Sequence, residues 1–213
     1  MKYIDMNQYP RRSHFDYFRS LAYPYVGMTA NVDVTPLIRT AKQLGVSTFL
    51  VCLYAVTRAA NRVPQLRQRI VGDQIAEYEV CDSGHTVALE DGTFVNCRTD
   101  GSLPFQEFLQ DSANRQERAK HAHGFLNDKE DETGMFFVSC VPWVSFTQVI
   151  QPTPIPADSN PRFVLGKYFL QEGKTMMPLS IQANHALVDG YHIARFYQAF
   201  DDISGGLWEE YCK

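Results

Sequence analysis

Along YVGMTANVDV the apolar and polar positions alternate, with Met28, Ala30, Val32 and Val34 on one side. That period of two predicts a strand with one buried face, and a short helix is expected just ahead of it in RRSHFDYFR. Thr35 and Pro36 mark a helix start, with the hydroxyl as cap and the proline in the first turn, and Gly45 marks its stop. Ser47 is expected to cap a second helix, TFLVCLYAVTRAANRV, which is apolar nearly all round and so belongs at the centre of the core. Turn chemistry places three hairpins, around Gly72-Asp73, Asp91-Gly92 and Gly173-Lys174. Between the second and third come a helix from about Pro104 to Ala119, a polar loop over 120–134, and a strand in MFFVSCVPWVSF. The segment QPTPIPADSNP, 151–161, carries four prolines and predicts an irregular excursion. Met177, Leu179, Ile181 and Ala183 then share one side of a strand. Asp189 caps a last helix that carries Ile193, Ala194, Tyr197 and Phe200 and is expected to end at Gly205. Strands and helices are mixed rather than regularly alternating, which points to an α+β fold with much antiparallel pairing.

The chain has 213 residues, 45% hydrophobic and 21% charged, enough to bury a sizeable core, and one domain over 1–213 is expected. A net charge of -4 argues against a broad basic surface for nucleic acid or anionic lipid. The longest apolar run, FLVCLYAV at 49–56, is far too short to span a bilayer, and MKYIDMNQYPRR lacks a signal-peptide core, so a cytoplasmic protein without membrane contact is expected. Cys52, Cys81, Cys97, Cys140 and Cys212 form no CxxC pair, which fits a reduced compartment. Cys140 has no nearby cation in MFFVSCVPWVSF to depress its pKa and is expected to be a structural thiol.

The candidate chemistry lies in QANHALVDGYHIARF, 182–196, where His185 falls at or just past a strand end and ahead of a helix. Three readings are open on the residues alone. His185 can be a general base, because imidazole accepts a proton at neutral pH and rigid elements flank it. It can be a half-buried structural histidine beside an aspartate that only caps a helix. Or His185, Asp189 and His192 can hold a metal at i, i+4 and i+7, provided the helix begins at His185, which Gly190 and the strand-like run before it oppose.

The same stretch resembles the HHxxxDG signature of type A chloramphenicol acetyltransferases. YPRRSHFDYFR at 9–19, VSCVPWVSF at 138–146 and GKYFLQEGKTMMPLSIQ at 166–182 resemble that family in the same order, over nearly the whole chain. The resemblance implies a two-layer α/β sandwich with a mixed, largely antiparallel sheet. It also implies a homotrimer whose sites lie at subunit interfaces, and transfer of an acetyl group from acetyl-CoA to a hydroxyl of chloramphenicol without a metal. On that basis His185 is the base, Ser139 hydrogen-bonds the oxyanion, and Asp189 pairs with Arg11 in structural support of the site. Trp143, Lys167 and Tyr168 fall where the family contacts coenzyme A, with core packing, a solvated strand residue and sheet surface as their plainer alternatives. Phe18, Thr86, Phe94 and Val164 fall at the acceptor pocket, where ordinary sheet packing is the rival for Thr86 and Phe94.

The chain departs from the pattern at Asn184, in place of the first histidine, and at Val188, in place of a cysteine. Phe18 stands for a tyrosine and Val164 for a threonine, which removes two polar handles on the acceptor and leaves another hydroxyl acceptor open. A non-catalytic homologue that binds acyl-CoA is the other alternative, and His185, Ser139 and Arg11 weigh against it. Acyltransferases of dihydrolipoyl complexes and condensation domains share the HxxxDG logic and are expected to be relatives.

Overall fold

The computed structural model describes residues 1–121 and 132–212. Most of the polar stretch expected to be a loop, 122–131, lies outside the described residues. The elements run β1 (Lys2–Tyr3), α1 (Arg12–Phe18), β2 (Tyr25–Asp33), α2 (Thr35–Leu44), α3 (Thr48–Asn61), β3 (Gln68–Val71), β4 (Gln74–Glu77), β5 (Asp82–Ala88) and β6 (Phe94–Thr99). They continue with α4 (Phe105–Lys120), β7 (Met135–Val141), β8 (Arg162–Gly166), β9 (Phe169–Gln171), β10 (Lys174–Asn184) and α5 (Gly190–Cys212). The main sheet has the order β2-β10-β8-β7-β5-β6, with β9 pairing the start of β10. Only β5 with β7 and β7 with β8 run parallel, so the sheet is mixed and largely antiparallel, as the family resemblance implies. A second sheet, β1-β4-β3, has no counterpart in the sequence reading beyond the Gly72-Asp73 hairpin.

One face of the main sheet carries the core. Phe136 and Val138 of β7, Phe163 and Leu165 of β8, and Leu179, Ile181 and Ala183 of β10 are buried with residues of α3 and α5. The expectation for α3 holds, since ten of its residues are buried. The buried face expected along β2 holds only at its far end: Val32 is buried, as is Val34 just past the strand, whereas Ala30 is half-buried and Met28 lies 47% exposed.

Several boundaries differ from the expectation for physical reasons. Thr35 is already helical, and its hydroxyl accepts the Thr175 N–H at 2.8 Å, while Asp33 Oδ1 receives the Thr35 N–H at 2.9 Å. The aspartate thus meets the end of α2 and the hydroxyl ties it to β10. The strand from Met135 stops at Val141, ahead of Pro142. The third hairpin turns one residue early: Glu172 and Gly173, not Gly173 and Lys174, take positive φ, at 50° and 77°. Helix α5 does not stop at Gly205. Ile203 and Leu207 continue its buried stripe, and Tyr211 packs on Phe105 at 4.9 Å, so tertiary packing outweighs the helix cost of Gly205 and Gly206.

Candidate active site

β10 ends at Asn184, and His185 opens the connection to α5. The His185 N–H donates to the Pro24 carbonyl at 2.7 Å, just before β2, which holds the backbone of the turn. Its ring Nδ1 lies 2.9 Å from the Val188 carbonyl. A carbonyl only accepts, so Nδ1 carries the proton and Nε2 keeps its lone pair. Phe18, the last residue of α1, stacks on the imidazole with ring centroids 3.8 Å apart and planes 15° from parallel. The ring is thereby fixed both in tautomer and in orientation.

Asp189 does two jobs. Its Oδ1 accepts the Tyr191 N–H at 3.1 Å, the N-cap contact expected from sequence, and its Oδ2 pairs with Arg11. His192 stands beside the pair: its Nδ1 accepts the Asp189 N–H at 3.1 Å, and burial pulls its own pKa down. Burial alone would raise the Asp189 carboxyl, but the hydrogen bond and charge of Arg11 outweigh it and hold the carboxyl below its usual range. Since α5 begins at Gly190, His185, Asp189 and His192 do not share a helical face, and the carboxylate is already occupied by a cation. The metal reading loses its geometry.

Ser139 belongs to the other face of the sheet, half-buried in β7 between the core residues Val138 and Cys140. It pairs with Val164, which pairs with Ser180, and Thr86, one residue beyond the His85–Val138 pair, comes level with it. The predicted pocket residues Thr86 and Val164 therefore lie in one row with the predicted oxyanion donor. Val164 is buried at 2% exposure, and Phe94, opposite Ala88 on the edge strand, is 47% exposed. Past the ends of β7 and β8, the Lys167 N–H donates to the Val144 carbonyl at 3.0 Å and joins the segments that carry Trp143, Lys167 and Tyr168. Trp143 is 77% exposed, which removes core packing as its role, and Tyr168 and Lys167 are exposed beside it. Gly166 permits this loop: a Cβ there would come 2.8 Å from the Phe146 ring.

The structure does not bring His185 to Ser139 within one chain. Ser180, not His185, is level with Ser139. The run of β10 from Ser180 to His185 at about 3.4 Å per residue, and two strand spacings, separate them by on the order of 20 Å. Sequence reasoning also missed Asn184 as a working residue. It is 2% exposed, donates to the Asp158 carbonyl at 2.9 Å and accepts the Ala186 N–H at 3.1 Å; an asparagine closing a turn was the available signal. Burial pushes the Cys140 thiol up, in line with the structural role expected for it.

Comparison with known proteins gives first a class. A probable dihydrolipoamide acetyltransferase from Listeria monocytogenes shares the fold with a TM-score of 0.69 at 18% identity, over 97% of this chain and 95% of that one. A chloramphenicol acetyltransferase structure matches far more closely, with a TM-score of 0.89 at 27% identity over 95% of this chain and 98% of that one. The chloramphenicol acetyltransferases of Proteus mirabilis and of Klebsiella sp are 30% and 31% identical, covering 90% and 95% of this chain and 89% and 95% of theirs. The model of the chloramphenicol acetyltransferase family matches residues 1–201. The chain belongs to that family, and it is an acyltransferase.

Proposed function

We propose that the protein is a type A, HHxxxDG-class O-acetyltransferase that moves the acetyl group of acetyl-CoA to a hydroxyl of chloramphenicol. The observation that carries this is the locked imidazole: Nδ1–H is spent on Val188, so Nε2 presents a lone pair before any substrate arrives. Nε2 of His185 takes the proton of the acceptor hydroxyl as its oxygen attacks the thioester carbonyl. The tetrahedral oxyanion receives a hydrogen bond from Ser139, and its collapse breaks the C–S bond and returns the proton to the departing thiolate. A preorganised donor of this kind contributes on the order of 3 kcal/mol. The exposed rings of Trp143 and Tyr168 and the Lys167 ammonium suit an adenine face and its phosphates. Phe18, Thr86, Phe94 and Val164 shape the acceptor side, and Arg11 with Asp189 keeps the turn in shape.

Because His185 and Ser139 stand far apart in one chain, a second copy supplies the missing half, in a homotrimer of cytoplasmic location. A cavity of about 330 Å³ along β2 and β10, lined by Thr29, Thr147, Ser180 and Gln182 among others, fits this assembly. In its lining the buried Gln182 Nε2 lacks a partner among the described residues, as befits a group that meets another subunit. A second reading, transfer to a different hydroxyl acceptor, is favoured by Phe18, which offers the acceptor a bare ring edge without a hydroxyl. The deciding experiment is thiol release from acetyl-CoA with and without chloramphenicol, beside His185→Ala. Release driven by chloramphenicol and lost in the variant supports the first reading. Binding of acetyl-CoA without chloramphenicol-dependent release supports the second.

A further inference from the structure

The turn that locks His185 is itself held by a residue outside the described chemistry. The Asn184 carbonyl accepts the N–H groups of Leu187 and Val188, both at 3.0 Å, and its side-chain Oδ1 accepts the Ala186 N–H at 3.1 Å. One asparagine thus closes the turn from both its backbone and its side chain, and this turn aims the Val188 carbonyl at His185 Nδ1. The Nδ2 of Asn184 donates outward to the Asp158 carbonyl at 2.9 Å. That anchor is rigid in its turn: the Asp158 carboxylate takes two bonds from Arg162, at 2.8 and 2.6 Å, and one from the Tyr25 hydroxyl at 2.9 Å. Tyr25 closes the circuit by pairing with Asn184 across β2 and β10. The proline-rich excursion therefore returns to the sheet with a brace for the turn.

We propose that Asn184 is a positioning residue for His185: through the 184–188 turn and its tie to Asp158 it holds the Val188 carbonyl in place and so sets the tautomer and aim of the imidazole. The proposal rests on His185 being the base, and its test has one arm that does not depend on turnover. In Asn184→Ala the turn loses its side-chain acceptor and its outer anchor, whereas Asn184→Ser keeps a hydroxyl oxygen for the Ala186 N–H and loses only the anchor. With acetyl-CoA and chloramphenicol, Asn184→Ala is expected to lower kcat on the order of 10²-fold with KM for both substrates nearly unchanged, and Asn184→Ser to recover part of that loss. In the ¹⁵N spectrum of the His185 ring the wild type is expected to show the Nδ1–H form alone, and Asn184→Ala a mixture with the Nε2–H form. An unchanged tautomer in Asn184→Ala, or, if that variant does not fold, in Asn184→Leu, which fills similar space but lacks both contacts, overturns the proposal even if kcat falls. Full activity in His185→Ala would instead remove the base assignment and leave the spectral test standing.

Discussion

At the His185 end of β10 the imidazole and the Asp189 carboxylate are held by neighbours, whereas at the Ser139 end of β7 and β8 the aromatic and cationic groups stand in solvent. The imidazole has a carbonyl on Nδ1 and a ring on its face, and Asp189 binds Arg11 and the start of α5. Trp143, by contrast, is 77% exposed and Tyr168 52%. The difference matches what each end would do in the proposed reaction. A base works only if its lone pair is aimed before the encounter, so its orientation is set by the protein. A nucleotide surface must stay open, and its order comes with the ligand.

Mixing the two halves breaks the comparison most severely. His185→Ala is expected to lower kcat on the order of 10³-fold and Ser139→Ala on the order of 10²-fold. Mixed oligomers made by co-expressing the two variants should regain activity far above either parent, because one kind of interface then combines an intact His185 with an intact Ser139. No gain in oligomers shown to be mixed would mean that both groups act within one chain, against the separation that the register of β10 implies.

His85 sharpens the contrast from inside the same sheet. It is the neighbour of Thr86 in β5 but points to the helices, where its Nε2 lies 2.9 Å from Gln116 and its exposure is 1%. Burial pushes its pKa down to about 4. The unfolded imidazole titrates near pH 6.5, so below that pH the unfolded chain binds a proton the folded chain refuses. Stability is therefore full above pH 6.5 and lost as pH falls toward 4, by about 3 kcal/mol for this group. Urea midpoints across that range should show the loss, and His85→Asn should flatten it. A histidine sealed in this way fills space; only an accessible, half-held ring serves as a base.

The smallest expected effect lies on the open surface. Trp143→Ala should raise KM for acetyl-CoA up to about tenfold, the worth of one aromatic contact, and leave kcat and the melting temperature unchanged. A drop in melting temperature would mean that the indole packs on protein after all.

Much of this arrangement was legible in sequence because it is local. The shared core face of Met177, Leu179, Ile181 and Ala183 in β10, the apolar round of α3, the hairpins at Gly72 and Gly92, and Asp189 ahead of α5 all follow from neighbours in the chain. What escaped depends on partners distant in sequence. The length of α5 is set by Phe105 and the buried stripe rather than by Gly205. The gap between His185 and Ser139 follows from strand order and register, which no spacing encodes. Asn184 looked like a lost histidine, since its value lies in Asp158 and in the turn it closes.

The pairing of β2 with β10 also has a consequence for synthesis. Thr29 meets Ser180, so the edge of β2 waits for about 150 residues of translation before its partner leaves the ribosome, roughly 10 to 30 s at ordinary elongation rates. The nascent chain carries an uncovered strand through that interval. Slow codons between the two strands would lengthen its exposure to aggregation, and a holdase chaperone would be most useful there.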